Sequence, residues 1–321
     1  MVIEPVQEVA VIEPAHEVTV ATARFPVISP AGRDAQECWI DLDGSRMRYL
    51  RAGSGPALIL LHGLLGYSFS WRYTMPALAP YATVYAPDML GAGFSDRLAN
   101  LDCHMRSIAQ RLLRFVERLG LSSFDLLGTS HGGAVAMMAA AKSLDANESA
   151  TARVRRLILV APVNPYSAHG QRLAPLFGSR IGSAFLRLVA TRTTLWHRYA
   201  LQRLYGNPDR IPRGTVEGYA APLAIPGLFE YGINIARNWT QDLQELEMIL
   251  PKLGSIPTLL LWGSRDPAVY AASAAFLARH FSNVQLKVFP GIGHLPYEEC
   301  PEEFNRVLIE FLTQKTSPAE R

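Results

Sequence analysis

Cysteine is scarce. Cys38, Cys103 and Cys300 are the three in 321 residues. They are odd in number, far apart and in no C-x-x-C pair, which leaves no disulfide framework and no zinc-site spacing. The eight histidines include no H-E-x-x-H, so neither a metal nor an organic cofactor is expected. No apolar run approaches the ~18 residues of a membrane span. No basic stretch followed by an apolar one marks a secretory leader, and a cytoplasmic protein is the expectation. An excess of one charge is lacking too. The 31 basic and 28 acidic residues leave +3, too little to argue for nucleic acid or an anionic membrane as partner. Nothing in the sequence fixes an oligomeric state.

What is present is the composition of a large buried core, 49% hydrophobic and 18% charged. Residues 1–33 stand apart. Val2-Ile3-Glu4-Pro5 recurs as Val11-Ile12-Glu13-Pro14, but two copies fall short of the roughly three a solenoid needs. The prolines break regular structure, and the segment reads as a flexible arm. Strands are expected at 38–42 and 46–51 around the turn Asp43-Gly44. Further strands are expected at 57–61, 83–87, 124–127, 157–161, 258–262 and 284–289; 57–61 is the short continuous apolar run of a strand buried on both faces, and 157–161 also reads as buried. Helical spacing marks 108–119, 134–141, 271–280 and 302–312. The alternation predicts an α/β fold: a mostly parallel eight-stranded sheet with helices on both faces, formed by 34–162 and 251–321. Residues 163–250 hold no strand pattern but have helical segments at 181–188 and 195–204. They are expected to form a helical cap inserted after the sixth strand, over the carboxyl edge where ligands bind in such sheets.

Gly128-Thr129-Ser130-His131-Gly132 is G-x-S-x-G. A chain this long holds roughly 0.1 such matches by chance, so context decides. The motif follows a predicted strand and opens a predicted helix, where small flanking residues let the chain turn sharply and lift a serine above the sheet. A serine needs a base. His294, in the loop after the last strand, falls on the same rim. The base needs a carboxylate to hold its tautomer, and Asp266, past the penultimate strand, supplies it. The loop after the sixth strand offers Asn164 instead, which carries no charge. An oxyanion needs donors. The backbone N–H groups of Leu64, in the loop His62-Gly63-Leu64, and of His131 are assigned to it. His62, Gly63, Gly128 and Gly132 are expected to support the loops. Asp88 reads as a brace for Gly91–Gly93, and His16, His104, His169, His197 and His280 as ordinary surface or core histidines. Trp196, Tyr199, Tyr205, Tyr219, Phe229, Tyr231 and Trp239 read chiefly as core of the insertion, with a few lining a pocket.

Together with the loop from Pro87 to Asp96 and with Trp262-Gly263, these motifs resemble the α/β-hydrolase superfamily over about residues 38–313. They are closest to its lid-bearing esterases, C–C bond hydrolases and cofactor-free haloperoxidases. The resemblance implies a Ser130–Asp266–His294 triad acting without a cofactor. Epoxide hydrolases and haloalkane dehalogenases of this fold use Asp where this chain has Ser130. The expected activity is hydrolysis of small to medium apolar carboxylic esters, with a small-molecule partner. C–C cleavage of ring-fission diketones and perhydrolysis are the alternatives, and a hydrolase-fold receptor or scaffold is the non-enzymatic one.

Overall fold

The computed structural model describes residues 35–145, 152–167, 174–190 and 193–314. The arm expected at 1–33, with His16, and His169 in the insertion lie outside them. The strands are β1 (Gln36–Leu42), β2 (Ser45–Ala52), β3 (Ala57–Leu61), β4 (Thr83–Pro87), β5 (Ser123–Thr129), β6 (Arg153–Val160), β7 (Thr258–Gly263) and β8 (Val284–Phe289). Their order in the sheet is β1-β2-β4-β3-β5-β6-β7-β8. The pairs β1/β2 and β2/β4 are antiparallel and all others parallel. Asp43 and Gly44 both take positive φ, 57° and 86°, the geometry of a tight hairpin whose twist matches its strands.

Strands β3, β4 and β7 are buried along their whole length. That is why they appear in the sequence as unbroken apolar runs rather than alternations. Helix α1 (Met105–Arg118) buries Met105, Ile108, Leu112 and Phe115, a 3.6-period stripe, and stops at Gly120 with φ 69°. Helix α2 (His131–Lys142) is buried nearly all round by small residues, and α1 packs beside it. Two apolar clusters result, one on each face of the sheet. Phe115, Phe124 and Trp262 belong to one; Trp71, Phe289 and Phe304 belong to the other. Each such side chain fully buried contributes about 1.5–3 kcal/mol.

Between β6 and β7 the described chain is helical. It contains α3 (Arg180–Ala190), α4 (Thr193–Leu204), a short helix Thr215–Ala220 and the 22-residue α5 (Leu228–Ile249). Sequence reasoning had not marked α5. Its buried face, Tyr231, Ile235, Trp239, Leu243 and Leu246, packs against α1 and α2. Helices α6 (Ala272–Ala278) and α7 (Pro301–Thr313) complete the core. Among the described residues no helix is long and apolar enough to cross a membrane. Nor does any group of three His, Cys, Asp or Glu come together to hold a metal ion.

Candidate active site

Strand β5 runs into α2 through Ser130, whose backbone sits at φ 53°, ψ −123°. This is a region that L side chains avoid, at about 1–3 kcal/mol. Surrounding bonds hold it there. Ser130 N–H donates to Val160 O at 2.9 Å, and its carbonyl accepts from Gly133 N at 3.0 Å and Val163 N at 2.9 Å. The glycines of the motif are steric requirements. A Cβ at Gly128 would overlap the Gly132 carbonyl, and one at Gly132 would overlap the His62 carbonyl. Gly132→Ala is expected to lower stability by about 1–3 kcal/mol, measured as a drop in the urea midpoint.

The loop after β3 lies against this turn. A Cβ built on Gly63 would stand 3.2 Å from Ser130 Cβ and 3.8 Å from its Oγ. The His62 ring fixes the loop. Its Nδ1–H donates to Gly63 O at 2.9 Å, and its Nε2 accepts from Met89 N at 3.1 Å. Both ring nitrogens are thus occupied by backbone, and His62 is a brace without a free base site. Among the described residues the backbone N–H groups of Leu64 and His131 donate to nothing.

His294 and Asp266 meet at the ends of β8 and β7. His294 Nδ1 lies 2.7 Å from Asp266 Oδ2. The other carboxylate oxygen, Oδ1, accepts from Ala268 N at 2.8 Å and Val269 N at 2.9 Å. Both residues are buried. The bond to Asp266 fixes the Nδ1–H tautomer and leaves Nε2 as the acceptor. Ser130 Oγ has no hydrogen-bond partner among the described residues, and no bond joins it to His294. Such bonds are commonly loose before substrate binds.

The loop carrying His294 is also tied to the insertion. His294 N–H donates to Leu204 O at the end of α4, at 2.7 Å. Beside it the buried Glu299 carboxylate accepts from Gly293 N at 2.8 Å and from Gly206 N and Asn207 N at 2.9 Å. Its neighbour Glu298 takes both Arg72 guanidinium nitrogens, at 2.6 and 2.7 Å, and the hydroxyls of Tyr205 and Tyr219. Tyr205 and Tyr219 pack in the core as expected, and their hydroxyls in addition anchor Glu298. Neither carboxylate was marked by sequence reasoning. Their only local signal is the Glu-Glu pair four and five residues past His294. Glu299→Ala strips one buried and two part-buried N–H groups of their acceptor and is expected to destabilise the protein by about 2–3 kcal/mol. Should His294 act as the base, the expected activity defect lies in kcat more than KM, because the loop carrying His294 loses its anchor and the cavity does not change.

His131 stacks on Trp239, ring centroids 6.1 Å apart. Burial, with a smaller push from His62, lowers its pKa to about 4. The unfolded chain then binds more protons between pH 6.5 and 4, so stability is full above that window and falls as pH drops through it. The loss should reach about 3 kcal/mol by pH 4. His131→Phe keeps the backbone N–H and the stacking, and is expected to flatten the acid limb of a urea midpoint against pH series.

Several of the other marked residues make structural contacts. Asp88 accepts from Ser68 N, Phe94 N and Arg48 Nη1, and Gly93 is required because a Cβ there would overlap its carboxylate. His104 pairs with Asp242 at 2.8 Å, and Tyr166 OH with His280 Nε2 at 2.6 Å. Asn164 bonds Pro162 O, Ser273 Oγ and Tyr166 N.

Ser130 opens on a cavity of about 400 Å³. Its walls include Leu64 and Leu65, Val163, Phe177, Ala268 and Val269. One side of α5 supplies most of the rest: Phe229, Gly232, Ile233, Ala236, Trp239 and Leu243. The turn that holds Asp266 therefore borders the same space as Ser130. Among the described residues lining it there is no Lys, Arg, His, Asp or Glu. Of the seven marked aromatics, Phe229 and Trp239 reach this wall.

A family model described as the alpha/beta hydrolase fold matches residues 56–301. Haloalkane dehalogenase 2 of Mycobacterium tuberculosis is 27% identical over 279 residues, 85% of this chain and 93% of that protein. The 2-hydroxymuconate semialdehyde hydrolase of a Pseudomonas species is 26% identical over 296 residues, 86% and 93% of the two chains. Among solved structures, an unliganded epoxide hydrolase superposes with a TM-score of 0.76 at 23% identity, over 87% of this chain and 98% of that one. At that identity the likeness is one of fold.

Proposed function

Because the chain belongs to the α/β-hydrolase family, we propose that it is a serine hydrolase cleaving esters of apolar carboxylic acids through an acyl-enzyme. Ser130 Oγ attacks the ester carbonyl while His294 Nε2 takes its proton. The negative oxygen is received by the N–H groups of Leu64 and His131. Asp266 steadies the imidazolium, which then protonates the departing alkoxide. Water enters, His294 takes its proton, the hydroxide attacks the acyl carbon, and the returned proton restores Ser130 as the acid leaves. The helices between β6 and β7 act as the cap, with α5 as the wall against the acyl group.

The observation that carries the choice of ester is the cavity on Ser130, which is apolar and has no charged side chain among its described lining residues. A ring-fission diketone brings a carboxylate, and its C–C cleavage calls for a cation in the pocket. The serine sets the chain apart from hydrolases whose nucleophile is a carboxylate, since Ser130 stands on the elbow between β5 and α2. Perhydrolysis has no feature in its favour here, and a receptor role would leave Ser130 unreactive. A series of p-nitrophenyl esters is expected to show kcat/KM rising with acyl length until the cavity is filled. Turnover of a ring-fission diketone with none of the esters would overturn the reading.

A further inference from the structure

We propose that the outer face of α3 is a docking surface for an anionic lipid surface, bringing the mouth of the Ser130 cavity onto a bilayer or micelle. The helix is turned the wrong way for a core element. Ser183 is buried, 1% exposed, while Ile181 is 85% and Phe185 54% exposed. Ile181 and Phe185 stand at i and i+4, so they share one face. Leu176, 58% exposed, and Phe177, 37% exposed, extend the apolar surface just before the helix. Single exposed apolar residues are ordinary, but a run along one helix is the mark of an interaction site.

Charge selects the partner. The sequence has no Asp or Glu between Glu148 and Asp209, yet holds Arg172, Arg180, Arg187, Arg192, Arg198 and Arg203. The total of +3 conceals this segregation, because the rest of the chain is net negative. Arg180, Arg198 and Arg203 are exposed and form no ion pair among the described residues. An exposed apolar face on α3, with Arg180 on α3 and Arg198 and Arg203 on α4 exposed and no acidic residue in either helix, fits an interfacial helix on acidic headgroups. A nucleic acid would leave the apolar residues idle. A second copy, paired face to face, would bring the exposed arginines of two like-charged helix pairs together with no acidic residue of those helices to offset them.

The surface is also continuous with the site. Phe177 is both partly exposed and part of the cavity wall, so an apolar path runs from the docking face to Ser130. Delivery of an ester from the lipid phase along that path rests on the hydrolytic reading; the docking itself does not.

The test is cosedimentation of the full chain with vesicles of phosphatidylcholine alone and of phosphatidylcholine with phosphatidylglycerol in equal parts. Wild type should sediment with the mixed vesicles about tenfold more than with neutral ones, and salt should release it. Ile181→Asp with Phe185→Asp should abolish sedimentation, and Arg180→Glu with Arg198→Glu should reverse the preference for acidic vesicles. All variants should hydrolyse a water-soluble short ester at the wild-type rate, which reports an intact fold. Vesicle binding by a wild type that hydrolyses no ester would sink the hydrolytic reading and leave docking standing. Docking is overturned if wild type ignores the mixed vesicles or if the aspartate variant binds as well. It is equally overturned if wild type is a dimer that the variant converts to monomer, since the face then belongs to a subunit contact.

Discussion

Ser130→Ala is expected to lower ester turnover by about 10⁵-fold while leaving the fold unchanged, if Ser130 is the nucleophile proposed above. The size follows from removal of the nucleophile of a unit whose members act together; what remains is what an oxyanion site and substrate binding achieve alone. The structural side of the expectation is equally specific. Alanine keeps the Cβ that already fits at φ 53°. Serine's Oγ has no partner among the described residues, so its loss orphans nothing. The thermal midpoint should therefore stay within a degree or two of wild type. A fluorophosphonate should add covalently to the Ser130 peptide of the wild type, read by mass spectrometry, and not to the variant. Undiminished hydrolysis by Ser130→Ala would remove the residue from the mechanism.

Asp266→Asn is the second large effect, a fall of about 10⁴-fold in kcat. Its cause lies in which way the new amide must face. Oδ1 accepts two backbone N–H groups, from Ala268 and Val269, so an asparagine places its oxygen there and turns its NH2 toward His294. An NH2 donates to Nδ1, and the imidazole proton is driven to Nε2, where a proton acceptor is required. The geometry survives and the base is lost. Stability should change little, because the backbone bonds to position 266 remain. A variant with near wild-type kcat would mean that Asp266 does not orient the base. Fluorophosphonate labelling should slow in parallel, since it reads the activation of Ser130 directly.

Much of the sheet was legible because its strands are buried on both faces. The bounds of β3 and β4 match the apolar runs of the sequence residue for residue, whereas β8, at the sheet edge and largely exposed, was legible from its alternating Val284, Leu286 and Val288. The elbow was legible for a local reason: strand, motif and helix are consecutive in the chain. Helix α5 was not marked, although Tyr231, Ile235, Trp239, Leu243 and Leu246 carry a helical period. Interleaved polar residues such as Asn234, Arg237 and Gln241 and the Pro/Gly-rich turns before it obscure that period in a helix that carries much of the cavity wall. The pairs Arg72–Glu298 and His104–Asp242 join residues 226 and 138 positions apart. No periodicity encodes such a meeting. The same holds for Glu299, which joins Gly206 and Asn207 of the insertion to Gly293 in the loop after β8.

The bonds from Leu204 O to His294 N, and from Gly206 and Asn207 to Glu299, set a rule for building chimaeras. Helices of the insertion are the natural segment to exchange when a new substrate range is sought. A splice placed at 204–207 would sever the clamp that seats the imidazole, and the graft would be inert however well its pocket fitted. Exchanges confined to α5, or carried with the donor's own segment corresponding to 291–299, leave that seat whole. The boundary of a transplantable module in this protein is thus drawn by backbone hydrogen bonds, not by where the sheet ends and the helices begin.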